Sequence, residues 1–174
     1  MTTPTPARED QTKGRRAHMA GYSETPLLQK LGIKEGTRMT TVNAPADFRT
    51  NLGELPLAVE WANRVRPPLD LIVAFHTKRA TMVANWPTLT AATEPDGSIW
   101  VAWPKKASGI ATDINENILR EDLLPSGWVD NKVCAIDETW SGLRFVLRKE
   151  RRPKKAAPKA APAKLRRTKP GSHR

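Results

Sequence analysis

Apolar residues in this chain gather in short blocks, and the spacing inside each block predicts its structure. Leu69-Asp70-Leu71-Ile72-Val73-Ala74-Phe75 is almost continuously apolar, as a parallel strand covered on both faces must be. Ser98 to Trp103 repeats that character through Ile99-Trp100-Val101-Ala102-Trp103, after a turn signal at Asp96-Gly97. Arg38 to Val42 reads as a first strand, and Leu57 to Trp61 alternates weakly enough to give a short second one. Helical spacing appears between these blocks. Ser23 to Pro26 caps a short helix bearing Leu27, Leu28 and Leu31, which Gly32 ends. A helix from Ala46 to Leu52 closes at Gly53, and another runs from Lys78 to Thr93, with Pro87 inside it as a kink or break. A further helix spans Asp113 to Leu124, where Asp113-Ile114-Asn115-Glu116 has the form of a capping box. Ile114, Ile118, Leu119 and Leu123 would face the sheet.

Val129 to Ile136 and Leu143 to Leu147 are joined by so short a connection that they must pair antiparallel. Strands alternating with helices, then a terminal hairpin, predict an α/β fold. The expected architecture is a Rossmann-like, mostly parallel sheet with a C-terminal antiparallel hairpin. Residues 1–20 are Thr, Pro, Arg and Gln with little to bury and are expected to be disordered. The folded domain is then 21–147. Residues 148–174 form a Lys/Arg/Ala/Pro tail that cannot fold alone.

Charge sharpens that division. Residues 148–174 hold twelve Lys/Arg and one acid, a net of +11 that equals the net charge of all 174 residues. The body is therefore neutral, and the basic character belongs to the tail. Arg151, Arg152, Lys154, Lys155, Lys159, Lys164, Arg166, Arg167 and Lys169 resemble the arms of nucleic-acid-packaging proteins. Flexible cations beside a polyanion release counterions, so the association would be salt-dependent and indifferent to base sequence. Acidic protein partners or simple solubility are the other readings of the tail. The single cysteine, Cys134, excludes an internal disulfide, and its apolar surroundings make it a small buried residue. Leu71 to Phe75, the longest wholly apolar run of the body, is too short to span a bilayer. No signal peptide pattern opens the chain, so a cytoplasmic protein with no membrane partner is expected.

Several motifs together resemble a known family. Gly21-Tyr22-Ser23, Thr25-Pro26-Leu27, Lys30 to Lys34, Leu52 to Pro56, Trp103 to Gly109 and Val133 to Leu143 are similar to the bacterial family called domain of unknown function 3052. The resemblance covers residues 21–148 and implies no established activity. The strand order and terminal hairpin more distantly resemble S-adenosylmethionine-dependent methyltransferases. That likeness implies a methyltransferase-like fold, and an enzyme of that type is the alternative reading of function. The chain departs from it after the first strand. Val42-Asn43-Ala44-Pro45 stands where those enzymes carry a glycine-rich loop, so the expectation is no cofactor, with S-adenosylmethionine as the alternative.

Candidate chemistry concentrates after the central strand. Lys105 and Lys106 stand at its ligand-binding edge, Ser108-Gly109 can turn backbone N–H groups outward, and Thr112 offers a hydroxyl at a helix start. With Asn117, these residues could hold a phosphate or carboxylate; the bland reading is two solvated lysines on a loop. Asp113, Asn117 and Arg120 form one polar stripe, read chiefly as a solvated face. Asp137 and Glu138, beside Trp140 and Ser141, would point to opposite faces of a strand, which disfavours joint catalysis and leaves a hairpin or partner contact. His76 ends a buried strand at the ligand edge, but no Ser-His-Asp, Cys-His or metal-ligand spacing accompanies it, so it reads as structural. Trp86, Trp100 and Trp103 are expected in the core, and Trp128 and Trp140 nearer the surface. No catalytic or metal residue is assigned. The expected function is a non-catalytic domain binding a small anionic ligand or a protein partner, with nucleic acid met through the tail.

Overall fold

The computed structural model describes residues 25–154. The expected disorder of residues 1–20, the cap at Ser23, and tail residues Lys155, Lys159, Lys164, Arg166, Arg167 and Lys169 lie outside that range. In chain order the elements are α1 (Leu27–Leu31), β1 (Arg38–Val42), α2 (Phe48–Leu52), β2 (Glu60–Trp61), β3 (Leu69–Phe75), α3 (Arg79–Ala92), β4 (Thr93–Pro104), α4 (Glu116–Leu123), β5 (Trp128–Ala135) and β6 (Trp140–Leu147). Short 3-10 turns follow β4, α4 and β6.

The strands form one sheet in the order β2-β1-β3-β4-β6-β5. The first four are mutually parallel, and β6 runs antiparallel between β4 and β5. This is the Rossmann-like, methyltransferase-like architecture with its antiparallel hairpin. Alternation along the two central strands explains the three layers. Ile72 and Ala74 of β3, with Ile99 and Val101 of β4, meet Met82, Trp86 and Leu89 of α3 and Leu119 and Leu123 of α4. Leu71, Val73, Phe75, Trp100 and Ala102 point the other way, onto Leu31 of α1 and Phe48 and Leu52 of α2. The Trp100 indole N–H donates to the Leu31 carbonyl at 3.0 Å, satisfying a C-terminal carbonyl of α1 inside the core. Trp86 donates to the Ser126 hydroxyl at 2.9 Å and meets Trp128 edge-on at 5.9 Å.

Six expectations are corrected by local physics. Asp96-Gly97 is not a turn before the central strand: β4 begins at Thr93, and Glu94 to Gly97 bulge opposite Asp70, between the Leu69–Thr93 and Leu71–Ser98 pairs. The second strand keeps only Glu60–Trp61, because Leu57 is 78 % exposed and Ala58 sits at φ 57°. Pro87 does not split α3; the carbonyl left without its donor is that of Val83, a residue 45 % exposed, so water can serve it. Trp128 is buried, because β5 begins there and sets its ring against Trp86. The folded body also runs past Leu147. Arg148 N–H donates to Gly127 O, Arg151 reaches Ser126 O at 3.3 Å and Arg152 reaches Leu147 O at 3.0 Å. Arg151 and Arg152 therefore lie on the body rather than starting a free tail. Cys134 is half-buried rather than enclosed, and burial pushes its thiol pKa up. Among the described residues no helix is long and apolar enough to cross a membrane.

Gly97 gives a direct test of the bulge. A Cβ there would lie 2.8 Å from both the Asp70 carbonyl oxygen and Thr93 Cγ2. Gly97→Ala should cost about 1–3 kcal/mol in urea unfolding, the usual range for forced overpacking. A loss below about 0.5 kcal/mol, the size of an ordinary surface change, would show that the bulge relaxes freely.

Candidate functional site

In an open parallel sheet buried on both faces, side chains are accessible mainly at the strand ends. The chain goes from β1 outward to β2, then crosses back to place β3 on the other side of β1. The crevice above β1 and β3 is therefore the topological switch point, where such folds bind ligands. A cleft of about 220 Å³ opens there, lined by Asn43, Phe75, His76, Thr77, Lys78, Thr81 and Trp140.

Each lining group has a local cause. Asn43 takes φ 52° immediately after β1, a left-handed conformation that asparagine tolerates better than most residues, and its amide donates to Phe75 O at 3.4 Å. Phe75 is fixed by edge-on contacts with Phe48 and Trp140, both at 5.1 Å. His76 prolongs the β3–β4 ladder, its backbone N–H donating to Ala102 O at 2.9 Å. Lys78 and Thr81 come from the start of α3. The Arg79 amide of that first turn is taken by the Asp113 carboxylate at 2.6 Å. The next two amides, of Ala80 and Thr81, have no acceptor among the described residues.

His76 is the anomaly. It is 3 % exposed, and neither ring nitrogen has a hydrogen-bond partner among the described residues. Burial holds its pKa below the ordinary value of 6.5, so the ring is neutral, with one donor and one acceptor unused. Leaving a buried polar group unmatched costs about 1–3 kcal/mol, and such groups in native proteins mark strain, catalysis, or a bound water, ion or ligand. The expected structural role covers its burial and not its missing partners.

The residues assigned from sequence separate into two sets. Lys105 is tied to the hairpin: its ammonium donates to Asp137 O at 2.6 Å and its amide to Thr139 O at 2.8 Å. Lys106 and Ser108 form the 3-10 turn after β4, and Gly109 closes it at φ 73°. The amides of Ser108 and Gly109 turn inward, to Lys105 O and Lys106 O, instead of outward. Thr112 and Asp113 do not open α4, which starts three residues later, with Asn115 accepting from Ile118 N–H at 3.0 Å. Thr112 hydrogen-bonds Thr77 O at 2.7 Å, so the segment closes over the start of α3. Asn117 is exposed on α4, and Arg120 is engaged by Glu116 and Asp130.

At the hairpin, Asp137 accepts from the amides of Thr139 and Trp140, both at 2.7 Å, and so shapes a turn rather than a strand face. Glu138 is exposed at that turn, and Ser141 is half-buried opposite Trp103. Trp140 alone of this group reaches the switch-point cleft. Sequence reasoning missed Asn43, Thr77, Lys78 and Thr81. The available signal was an asparagine closing a strand across from a histidine closing another. Among the described residues no group of three His, Cys, Asp or Glu could hold a metal ion.

No family model and no curated protein matches the chain. Among solved structures it is similar to a DhpI–SAH complex, at 13 % identity over 69 % of this chain and 81 % of that one, with TM-score 0.49. It is also similar to a SAM dependent methyltransferase from Aquifex aeolicus (15 % identity, 68 % and 86 % covered, TM-score 0.46). A third is magnesium protoporphyrin IX methyltransferase from Synechocystis PCC 6803 with bound SAM (10 % identity, 70 % and 74 % covered, TM-score 0.47). The fold itself rests on the strand order and pairing already described.

The buried imidazole makes stability depend on pH with a definite sign. Above the ordinary value of 6.5 the ring is neutral in both states and contributes nothing. Below it, the unfolded chain takes up a proton that the folded one refuses, so stability falls until the lowered native pKa is reached. Urea unfolding of His76→Leu should show a more stable protein than wild type, with the gap widening as pH drops below 6.5. Parallel pH profiles would mean that His76 is solvated.

Proposed function

We propose that the protein binds a small anionic ligand in the switch-point cleft between β1 and β3. The observation that supports this reading most strongly is His76, buried and unpartnered against a cleft of about 220 Å³. Its free N–H, the Asn43 amide, the Lys78 ammonium and the open amides of Ala80 and Thr81 are donors suited to a carboxylate or phosphate. Phe75 and Trp140 supply an apolar wall for the rest of the molecule. The ligand class is the one expected from sequence, and we favour the switch-point cleft over the Lys105–Asn117 segment, where Lys105, Ser108 and Thr112 already donate to backbone carbonyls. The Asp113 carboxylate fills only the first position of α3, leaving the next turn of donors to a ligand.

A methyltransferase-type enzyme is the second reading, and the mixed sheet is compatible with it. The cleft is below the roughly 300–1,000 Å³ of ordinary cofactor and drug-sized sites. The loop after β1 offers Asn43-Ala44-Pro45, with no glycine to let a backbone approach a large cofactor closely. We therefore favour a ligand smaller than S-adenosylmethionine.

Thermal unfolding against phosphate, sulfate, short mono- and dicarboxylates, S-adenosylmethionine and S-adenosylhomocysteine tests both readings. A ligand at 100 times its Kd stabilises by about 2.7 kcal/mol. The expected result is a shift with one of the small anions. In His76→Leu, binding should weaken about tenfold to 100-fold, the size of a hydrogen bond to a charged group, even though the free variant is more stable. A shift with the adenosyl compounds alone would support the enzyme reading. No shift with any of them would exclude the cleft as a small-anion site.

A further inference from the structure

Parallel strands on either side of a third are normally joined by a crossover of about a dozen or more residues, usually carrying a helix. β2 and β3 flank β1 in this way, yet only residues 62–68 connect them, and they contain no helix. The layer that holds α3 and α4 is therefore one helix short on its β1 side. Ala62 and Val65 of the connection pack against the core there. Beside them an apolar groove of about 410 Å³ stays open, between Val65 and Pro67 on one side and Pro87, Thr88 and Ala91 of α3 on the other. The outer surface of α3 continues this groove. Ala80, Val83, Ala84, Pro87 and Ala91 recur at helical spacing and are all exposed, and the helix carries no charge after Arg79. A surface helix normally turns polar and charged side chains outward, as α4 does with Asn117 and Glu121.

The margins of this surface carry opposite charge. At the N-terminal end of α3, Asp113, Glu121 and Asp122 gather round Arg79, three carboxylates to one guanidinium. Lys78, the cation just before the helix, lines the switch-point cleft. On the other side, where the connection runs past the C-terminal half of α3, Arg64 and Arg66 are exposed and make no ion pair among the described residues. A surface that is uncharged in the middle, acidic at one margin and basic at the other is complementary to itself. A two-fold axis in its plane, perpendicular to the line between the margins, lays each margin against the other one of a second copy. An unrelated apolar partner would give no reason for that polarity.

We propose that the outer surface of α3 is a homodimer interface. In it α3 crosses the α3 of a second copy, the second copy's Val83 enters the groove beside Pro87, and the basic margin at Arg64 and Arg66 meets that copy's Glu121. α3 is about 21 Å long and the surface about two helices wide, roughly 400–500 Å² per copy, short of the about 800 Å² of a standard interface. The dimer is therefore one that dissociates on dilution.

Sedimentation velocity of the full chain across a concentration series tests this. The expected result is a reversible monomer–dimer equilibrium. Val83→Arg and Ala84→Arg, at positions exposed in the monomer, should each raise the dimer Kd about tenfold or more, because a charge is then buried without a partner. Thermal unfolding of both variants at high dilution should match that of wild type. Arg66→Glu should raise the Kd about two- to fivefold for each margin contact, and each contact occurs twice in the dimer. Adding Glu121→Arg to Arg66→Glu should bring the Kd back toward wild type. A chain that stays monomeric at millimolar concentration would overturn the proposal, as would a dimer indifferent to both helix substitutions. A dimer broken by those substitutions but not rescued by the double reversal would overturn the two-fold arrangement. Loss of stability in dilute Val83→Arg and Ala84→Arg would also overturn it, by showing that the same chain covers this surface.

Discussion

Burial of β3 and β4 on both faces is the constraint on which the rest of the structure depends. Every residue of β3 but Asp70 is buried, and from Ser98 to Pro104 so is every residue of β4. Such strands have no solvent side, so helices must cover each face, and the chain supplies α3 and α4 on one and α1 and α2 on the other. The one polar residue of β3 illustrates the cost of exception. Asp70 needs a forked Arg38 and a bulge in β4 to accommodate it, and the Arg38 guanidinium and amide hold its carboxyl below its ordinary pKa even against desolvation.

The same constraint moves chemistry to the strand ends. His76 is the first residue past β3, still inside the layer of burial and among the residues that line the cleft. A residue there is sheltered from water without being matched by the core. Unmet hydrogen bonds in such a place destabilise the free protein, and a ligand that meets them recovers that stability on binding. On the opposite face Arg144 and Lys132 stand in register across the hairpin, with no ion pair among the described residues.

Much of this was legible in the residues. The near-continuous apolar run Leu69 to Phe75 bounded β3 to the residue, because burial on both faces leaves only Asp70 polar and both ends apolar. Helix starts were harder for a specific reason. Asp113 and Asn115 are both good caps, and Asp113 is drawn away by the Arg79 amide, 34 residues earlier in sequence. Lys105 looked like a ligand residue because its type and place fit; only the folded hairpin shows its ammonium spent on Asp137 O. Trp128 looked exposed because its partner, Trp86, lies on another element. The cleft was half visible. His76 stood out as a strand-end histidine with Lys78 and Thr81 close behind it, while Asn43 joins them only through sheet order, which spacing along the chain does not carry.

The central claim is that His76 is a neutral, unpartnered imidazole waiting for a ligand at the switch point. Long-range proton–nitrogen NMR of its ring, at neutral pH and during addition of phosphate and short carboxylates, addresses this most directly. The account predicts two distinct nitrogen resonances of a neutral ring in the free protein. The protonated nitrogen should then shift on saturation with the small anion that also stabilises the fold. Nitrogens averaged by rapid exchange with water, and unmoved by any anion, would contradict it.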